Sequence, residues 1–220
     1  MSSKYKSILF DLDGTITDPC EGITNAYMYA VEKLNLKEDS PALIRNYIGS
    51  PLHSYFELRH GFKSHDELNS GVSFYREYYG DKGMFECRIY DGMPELLNLL
   101  NTNGSYVYLV TSKPSFYAEK ILKHFGLLKY FKAIIGSDMT AYNKSKVELI
   151  QNLFDEHTIE PNSAVMIGDR KYDVLGAKHH GIASIGVTYG YGSAAEIKEA
   201  EPDYIAGNVD ELKVILITSS

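Results

Sequence analysis

Short apolar runs of β character alternate with helical segments through the second half of this chain, and a run of the same composition lies near its start. The runs comprise residues 7–12, 106–110, 133–135, 164–167, 183–187 and 204–206. Between the later runs, apolar residues recur at the spacing of a helix that buries one face. Strands that alternate with helices form a parallel sheet with helices packed on its faces. The alternation therefore predicts an α/β fold built on a doubly wound parallel sheet.

Residues 17–85 depart from this alternation, because they contain helical patterns and no convincing strand. The helical patterns lie at 19–36, 41–48, 52–60 and 65–80. Residues that break helices separate them, namely Pro41, Gly49-Ser50-Pro51 and Gly61. We therefore expect a helical insert at 17–85, placed after the first strand, and a sheet domain made of 1–16 and 86–220.

Composition excludes several classes of function. The chain has 220 residues, a net charge of −7 and no block of Lys and Arg, so we expect no binding to a nucleic acid polymer. No apolar run approaches the roughly 18 residues of a membrane span, and the first residues do not resemble a signal peptide. We expect a cytoplasmic protein without membrane association, in which Cys20 and Cys87 are free thiols.

Polar residues follow several predicted strands, at the edge where an open α/β sheet places its functional groups. They are Asp11 and Asp13 at the end of the first run, Thr111-Ser112-Lys113 after 106–110, and Asp169 after 164–167. Lys144 and Lys146 precede the helix that follows 133–135. Because side chains alternate along an extended chain, Asp11 and Asp13 are expected to point to the same side of the sheet.

The residue types indicate the chemistry. Asp11, Asp13 and Asp169 are carboxylates without a neighbouring His or Cys, so they favour a hard cation, and we expect Mg²⁺. A hydroxyl and a Lys beside that ion would bind a dianionic group such as phosphate. Phosphate monoesters hydrolyse so slowly that such a site must lower the barrier by roughly 20 kcal/mol or more. One carboxylate that attacks phosphorus and another that protonates the leaving oxygen would divide that barrier.

Four motifs in this order resemble those of the haloacid dehalogenase-like hydrolase superfamily. They are Asp11-x-Asp13-Gly14-Thr15, Thr111 after an apolar strand, a Lys at a helix start, and Gly168-Asp169-x-x-x-Asp173. The resemblance covers essentially the whole chain and implies a Rossmann-like core with an α-helical cap of the C1 type. It also implies that Asp11 is the nucleophile, which forms an aspartyl-phosphate, and that Asp13 is the general acid and then the general base.

The same resemblance implies a metal site. Mg²⁺ would be held by Asp11, Asp169 and the backbone carbonyl of Asp13, with Asp173 supporting these ligands.

The phosphate would be bound by Thr111, Ser112 and the motif Lys. Two lysines compete for that role, and Lys146 is favoured over Lys144. The reason is that Lys146-Val147-Glu148-Leu149-Ile150 is similar to the Lys-x-Glu-x-Ile form of phosphoglycolate phosphatase-like and 5′-nucleotidase-like members.

Within the superfamily, the second carboxylate, Asp13, argues against dehalogenases, which do not keep it. The stretches 47–52 and 136–138 resemble the phosphoglycolate phosphatase and 5′-nucleotidase branch. We therefore expect a Mg²⁺-dependent phosphatase acting on a small phosphorylated metabolite, either phosphoglycolate or a nucleoside 5′-monophosphate. Arg45 and Tyr47 are candidate specificity elements, and the chain is expected to be a monomer or homodimer.

Two alternatives stay open. A phosphomutase needs the same carboxylates, although residues 17–85 have no clear match to the Arg-Leu-Lys-Gly loop of β-phosphoglucomutases. A catalytically idle phosphate-binding module is the other alternative.

The Tyr189-Gly190-Tyr191-Gly192 stretch is predicted to be a loop turn, because it lacks the glycine spacing of a dinucleotide site.

Overall fold

A computed structural model of the chain describes residues 2–139 and 144–218. The chain divides into two compact units. One comprises Met1–Asp18 and Ile89–Ser220, and the other comprises Pro19–Arg88. The helical insert expected at 17–85 overlaps the second unit.

The strands of the described residues belong mainly to one sheet. In chain order they are β1 (Ser2–Ser3), β2 (Ser7–Phe10), β3 (Thr17–Asp18), β4 (Arg88–Ile89), β5 (Tyr106–Pro114), β6 (Phe131–Ser137), β7 (Ala164–Gly168), β8 (Ala183–Val187), β9 (Tyr204–Ala206) and β10 (Ile217–Thr218). The main sheet has the order β6-β5-β2-β7-β8-β9, and its neighbouring strands are parallel. This confirms the predicted α/β fold with a doubly wound parallel sheet.

Helices surround that sheet and make up most of the second unit. In chain order they are α1 (Cys20–Lys33), α2 (Pro41–Arg45), α3 (Leu52–His60), α4 (His65–Asp81), α5 (Met93–Thr102), α6 (Ser115–His124), α7 (Lys146–Glu156), α8 (Lys171–His179), α9 (Ala194–Glu199) and α10 (Val209–Leu216). Helices α1 to α4 lie in the second unit, and the others lie in the first. No helix of the described residues is both long enough and apolar enough to cross a membrane.

The central strand β2 is buried along its whole length. It lies between β5 and β7, so both of its edges are paired. Leu9 of β2 belongs to a core cluster with Tyr108 of β5, Met166 of β7 and Leu149 of α7. A strand that is covered on both faces needs a continuous apolar run, which explains the sequence of β2.

Several elements differ from the sequence-based expectation. The two-residue strands β1, β3, β4 and β10 were not predicted, and β3 lies within 17–85, where no strand was expected. The strand predicted at 106–110 continues to Pro114, because β6 stays paired with it, with Pro114 opposite Ser137. Helix α9 was not predicted. It is a single short helix with one buried residue, Ile197, so its sequence carries no helical periodicity.

The second unit has an aromatic core. The ring of Tyr27 lies 4.4 Å from that of Tyr55 and 4.7 Å from that of Tyr75, measured between centroids. The candidate specificity residue Tyr47 packs edge-on against Tyr55 at 5.2 Å. The tyrosines of this unit therefore stabilise its interior by ring packing.

Candidate active site

The carboxyl ends of three adjacent strands meet at one edge of the main sheet. Phe10 of β2 is in register with Leu109 of β5 and with Ile167 of β7. The backbone N–H of Asp11 donates to the carbonyl of Ile167 at 2.9 Å, so Asp11 lies level with the end of β7. The polar residues that follow these strands are thereby brought together, as expected for an open parallel sheet.

Asp11 and Asp13 lie in a tight turn, not in an extended strand, because β2 ends at Phe10. The carbonyl of Leu12 accepts hydrogen bonds from the N–H groups of residues 15–17 at 2.8 to 3.2 Å. Leu12 itself is fully buried. The turn, with Leu12 as its anchor, therefore explains why both carboxylates reach the site, and strand alternation does not.

Gly14 makes room for a third carboxylate. Its backbone is left-handed, with φ of 81°. A Cβ atom at this position would lie 2.1 Å from Oδ2 of Asp169, which is far inside van der Waals contact. Glycine is therefore required here both by the backbone conformation and by the close approach of Asp169.

Lys146, the first residue of α7, joins two of the carboxylates. Its Nζ lies 3.1 Å from Asp11 Oδ2 and 2.8 Å from Asp173 Oδ1, and it donates to the carbonyl of Val110 at 2.9 Å. Burial lowers the pKa of Lys146, but the two carboxylates outweigh this effect and hold the pKa above its usual value. Lys146 is therefore a fixed positive charge within the site.

The competing lysine, Lys144, precedes the cap of α7. Ser145 caps this helix by accepting a hydrogen bond from the N–H of Glu148 at 3.3 Å. Hydrogen bonds from Ser145 lower the pKa of the exposed Glu148, and the charge of Lys144 adds a smaller effect in the same direction. The described contacts thus associate Lys144 with the exposed first turn of α7 and Lys146 with the carboxylates.

Asp169 and Asp173 are buried at the end of β7 and in the first turn of α8. Asp169 Oδ2 accepts from the backbone N–H of Tyr191 at 2.7 Å, and Asp173 Oδ2 accepts from that of Arg170 at 3.1 Å. Burial, together with nearby like charges, raises the pKa of Asp169 to about 7. Burial also raises the pKa of Asp173 to about 6, although a lysine opposes the shift. Negative charge in this part of the site exceeds what its neighbours neutralise.

Lys113 also belongs to the site, although the sequence analysis assigned it no role beyond its place at the end of a strand. Its Nζ lies 2.7 Å from Asp13 Oδ2, and its side chain is only 6% exposed. Burial raises the pKa of Asp13, and the charge of Lys113 partly opposes that shift. Lys113 lies in the part of β5 that continues beyond the predicted strand, and its backbone N–H donates to Oγ1 of Thr111 at 3.2 Å.

The two hydroxyl residues of this strand differ in their surroundings. Thr111 is buried, and its Oγ1 accepts from the backbone N–H of Lys113 at 3.2 Å. Ser112 is exposed, and its carbonyl accepts from the Ser137 hydroxyl at 2.8 Å. Thr111 therefore contacts the backbone of Lys113 through its side chain, whereas the described contact of Ser112 is made by its backbone.

Three carboxylates could bind one metal ion. Oxygen atoms of Asp11, Asp169 and Asp173 lie within 4.8 Å of one another. This set offers only oxygen donors, which suits a hard divalent cation such as Mg²⁺. With Asp13 included, four carboxylates accompany the ammonium groups of Lys113 and Lys146. A divalent cation would neutralise the excess negative charge, so the residues present fit the expected ion.

Known proteins are similar to this chain in sequence and in fold. A family model described as haloacid dehalogenase-like hydrolase matches residues 8–187. A 5′-nucleotidase from Pseudomonas aeruginosa is 40% identical over 97% of this chain and 96% of its own length. A phosphoglycolate phosphatase from Vibrio parahaemolyticus is 30% identical over 98% of this chain and 97% of its own length. A crystal structure from Clostridium difficile, provisionally named a phosphatase, has 46% identity and a TM-score of 0.91, covering 97% of this chain and 99% of that one.

Proposed function

The chain belongs to the haloacid dehalogenase-like hydrolase family, and we propose on that basis that it is a Mg²⁺-dependent phosphatase acting on a small phosphorylated metabolite. One observation carries the proposal. Four carboxylates and two lysines, remote in sequence, lie together beyond the carboxyl ends of β2, β5 and β7. Hydrolysis of a phosphate monoester needs a nucleophile, a proton donor and positive charge around the phosphate, and this set can supply all three.

Asp11 acts as the nucleophile in this proposal. The N–H of Leu12 donates to Asp11 Oδ1 at 2.7 Å and Lys146 lies beside Oδ2, so the carboxylate is held in one orientation. A carboxylate oxygen attacks phosphorus while the bond from phosphorus to the ester oxygen breaks. Asp13 gives its proton to the leaving oxygen, which produces the free alcohol and an aspartyl-phosphate on Asp11.

A second displacement regenerates the enzyme. The oxygen of a water molecule attacks phosphorus while the Asp13 carboxylate accepts a proton from that water. The bond from phosphorus to Asp11 breaks. The products of the whole cycle are the alcohol and inorganic phosphate, with one water consumed. The raised pKa of Asp13 suits this role, because burial favours its protonated form before the first step.

The remaining residues bind and neutralise. Asp11 and Asp169, together with Asp173 or the backbone carbonyl of Asp13, would hold the Mg²⁺. When bound, the ion would offset the negative charge of the phosphate oxygens. Lys146, Thr111 and Ser112 are proposed to bind the phosphate.

Lys113 joins the phosphate-binding residues in this proposal. Its ammonium group lies next to Asp13, where the leaving group of the substrate would arrive.

The relatives guide the choice of substrate. The relative named 5′-nucleotidase is 40% identical, and the one named phosphoglycolate phosphatase is 30% identical. We therefore propose a nucleoside 5′-monophosphate as the first substrate to test and phosphoglycolate as the second.

The test is release of inorganic phosphate by the purified chain from a panel of phosphate esters, with Mg²⁺ and with a chelator. The panel contains nucleoside 5′-monophosphates, phosphoglycolate and sugar phosphates. We expect Mg²⁺-dependent release that Asp11→Asn abolishes and that Asp210→Asn, an exposed aspartate of α10, leaves unchanged.

Two results would contradict the proposal. Transfer of phosphate between sugar hydroxyls without net release would indicate a mutase. Absence of Mg²⁺-dependent release from every ester would indicate an idle phosphate-binding module.

A further inference from the structure

The loop between β8 and α9 packs directly against Asp169. The backbone N–H of Tyr191 donates to Asp169 Oδ2 at 2.7 Å. A Cβ atom on Gly190 would lie 2.5 Å from the Cβ of Asp169, and one on Gly192 would lie 1.9 Å from its carbonyl oxygen. The two glycines therefore allow the loop backbone to reach a buried carboxylate that a larger residue would exclude.

Two tyrosine hydroxyls attach this loop to the segment that follows Asp13. Tyr189 donates to the carbonyl of Thr15 at 3.0 Å, and Tyr191 donates to the carboxylate Oδ1 of Asp18. The ring of Tyr90 packs edge-on against Tyr189, with centroids 4.7 Å apart. The loop is thus bonded on one side to Asp169 and on the other to the turn that carries Asp11 and Asp13.

The ends of the loop are held by other contacts. The N–H of Thr188 donates to the carbonyl of Ala206 at 3.0 Å, and Ser193 caps α9 by accepting from the N–H of Glu196 at 3.0 Å. Glu196 in turn accepts a hydrogen bond from the backbone N–H of Lys171 at 3.0 Å, and Lys171 follows shortly after Asp169 in the sequence. These contacts do not involve the tyrosine hydroxyls, so the two ends of the loop should stay in place when one hydroxyl is removed, while the backbone between them loses a tether.

We propose that Tyr191 is a positioning residue for Asp169. Its hydroxyl, bonded to Asp18, keeps its backbone N–H on Asp169 Oδ2 and so holds the carboxylate in place for a divalent cation. Replacing a group that orients a metal ligand commonly lowers metal affinity or activity by about 10- to 100-fold. This inference rests on the proposed function, because it takes Asp169 as a ligand of Mg²⁺.

The probe is Mn²⁺, whose binding to the full chain is followed by electron paramagnetic resonance, without substrate and without any activity measurement. We expect Tyr191→Phe to weaken Mn²⁺ binding about tenfold. The matched control is Tyr204→Phe, which removes a hydroxyl bonded to Lys4 in the same unit and should leave Mn²⁺ affinity unchanged. Metal-free thermal unfolding of the variants should stay close to that of the parent chain.

A double-mutant cycle with Asp18→Ala tests whether the hydroxyl acts through its bond to Asp18. If it does, Tyr191→Phe should change Mn²⁺ affinity by less than about twofold once Asp18 is absent. Equal weakening in both backgrounds would overturn the inference, as would unchanged affinity in Tyr191→Phe or a loss that tracks unfolding. A parent chain that binds no Mn²⁺ would overturn the metal site itself. If the parent chain binds Mn²⁺, equal affinity in Tyr191→Phe would overturn only the role of Tyr191.

Discussion

Lys113 Nζ lies 2.7 Å from Asp13 Oδ2, and both side chains are largely withdrawn from solvent. Lys146 instead pairs with Asp11 and Asp173. The two lysines therefore divide the carboxylates between them, one beside the proposed nucleophile and the other beside the proposed acid and base. Replacing Lys113 and replacing Lys146 should therefore change different properties of the protein.

Replacing Lys113 should change the pH dependence of the reaction. Asp13 must carry a proton in the first displacement, so activity falls at high pH as Asp13 loses it. The charge of Lys113 lowers the pKa of Asp13 against the stronger effect of burial. In Lys113→Met that pKa should rise, and the alkaline limb of kcat/KM should move up by about one pH unit.

The control for this measurement is Lys144→Met, which removes the same charge from the exposed start of α7 and should leave the profile unchanged. A profile that stays in place in Lys113→Met, or moves to lower pH, would contradict the role given to Lys113.

Replacing Lys146 should cost both stability and activity. Without it, Asp11 and Asp173 lose their counter-charge in a buried site. Breaking a buried ion pair from one side destabilises a protein by about 3 to 5 kcal/mol. For Lys146→Met we expect a loss of this size in metal-free denaturation at neutral pH and a fall in kcat of about a hundredfold or more. Lys144→Met should change neither quantity, and the reverse pattern would show that the wrong lysine was chosen.

The predictability of the fold differed from that of the site. The apolar runs of β2, β7 and β8 were recognisable because strands buried on both faces need continuous hydrophobic sequence. The role of Lys113 was not recognisable, since it depends on pairing between β5 and β6 beyond the apolar run. Likewise, nothing in the sequence around Tyr191 reveals that its backbone N–H reaches Asp169, because that contact joins segments brought together only by the fold.

Gly14 and Gly104 offer a comparison of two left-handed glycines. Their φ angles are 81° and 79°, but a Cβ on Gly14 would meet Asp169 at 2.1 Å, whereas one on Gly104 would meet nothing within 4 Å. In both alanine variants the free energy of unfolding should fall by about 1 to 2 kcal/mol, because alanine is strained in a left-handed backbone conformation. Only Gly14→Ala should also lose Mn²⁺ binding, measured by titration of the metal-free chain. Similar affinity in the two variants would contradict the packing of Gly14 against Asp169.

Asp39 should make the stability of the helical unit depend on pH. Arg59 Nε donates to Asp39 Oδ2 at 2.7 Å and the Tyr55 hydroxyl donates to it at 3.1 Å. The hydrogen bond from Arg59 lowers the pKa of Asp39, despite the opposing effect of burial. A lowered pKa in the folded state stabilises above the unfolded pKa of about 4, and this stabilisation is lost as pH falls through the folded pKa.

Asp39→Asn should therefore destabilise this unit by about 2 kcal/mol at neutral pH. The gap to the parent chain should narrow as the pH falls below about 4. Hydrogen exchange of amides within 19–88 measures the difference in stability between variant and parent chain. The control is Glu38→Gln, at an exposed neighbouring position. If the stability difference between Asp39→Asn and the parent chain is the same at every pH, Asp39 stabilises the unit through packing and not through its charge.

Asp11 is proposed to carry the phosphoryl group during turnover. Reduction with borohydride converts an aspartyl-phosphate to homoserine, and it can be applied to the chain quenched during hydrolysis. Trypsin releases Asp11, Asp13 and Asp18 in one peptide, Ser7–Lys33, so fragmentation must locate the homoserine. We expect homoserine at position 11 of the parent chain and none in Asp11→Asn. Homoserine at another aspartate, or its absence from a chain that releases phosphate, would contradict this role of Asp11.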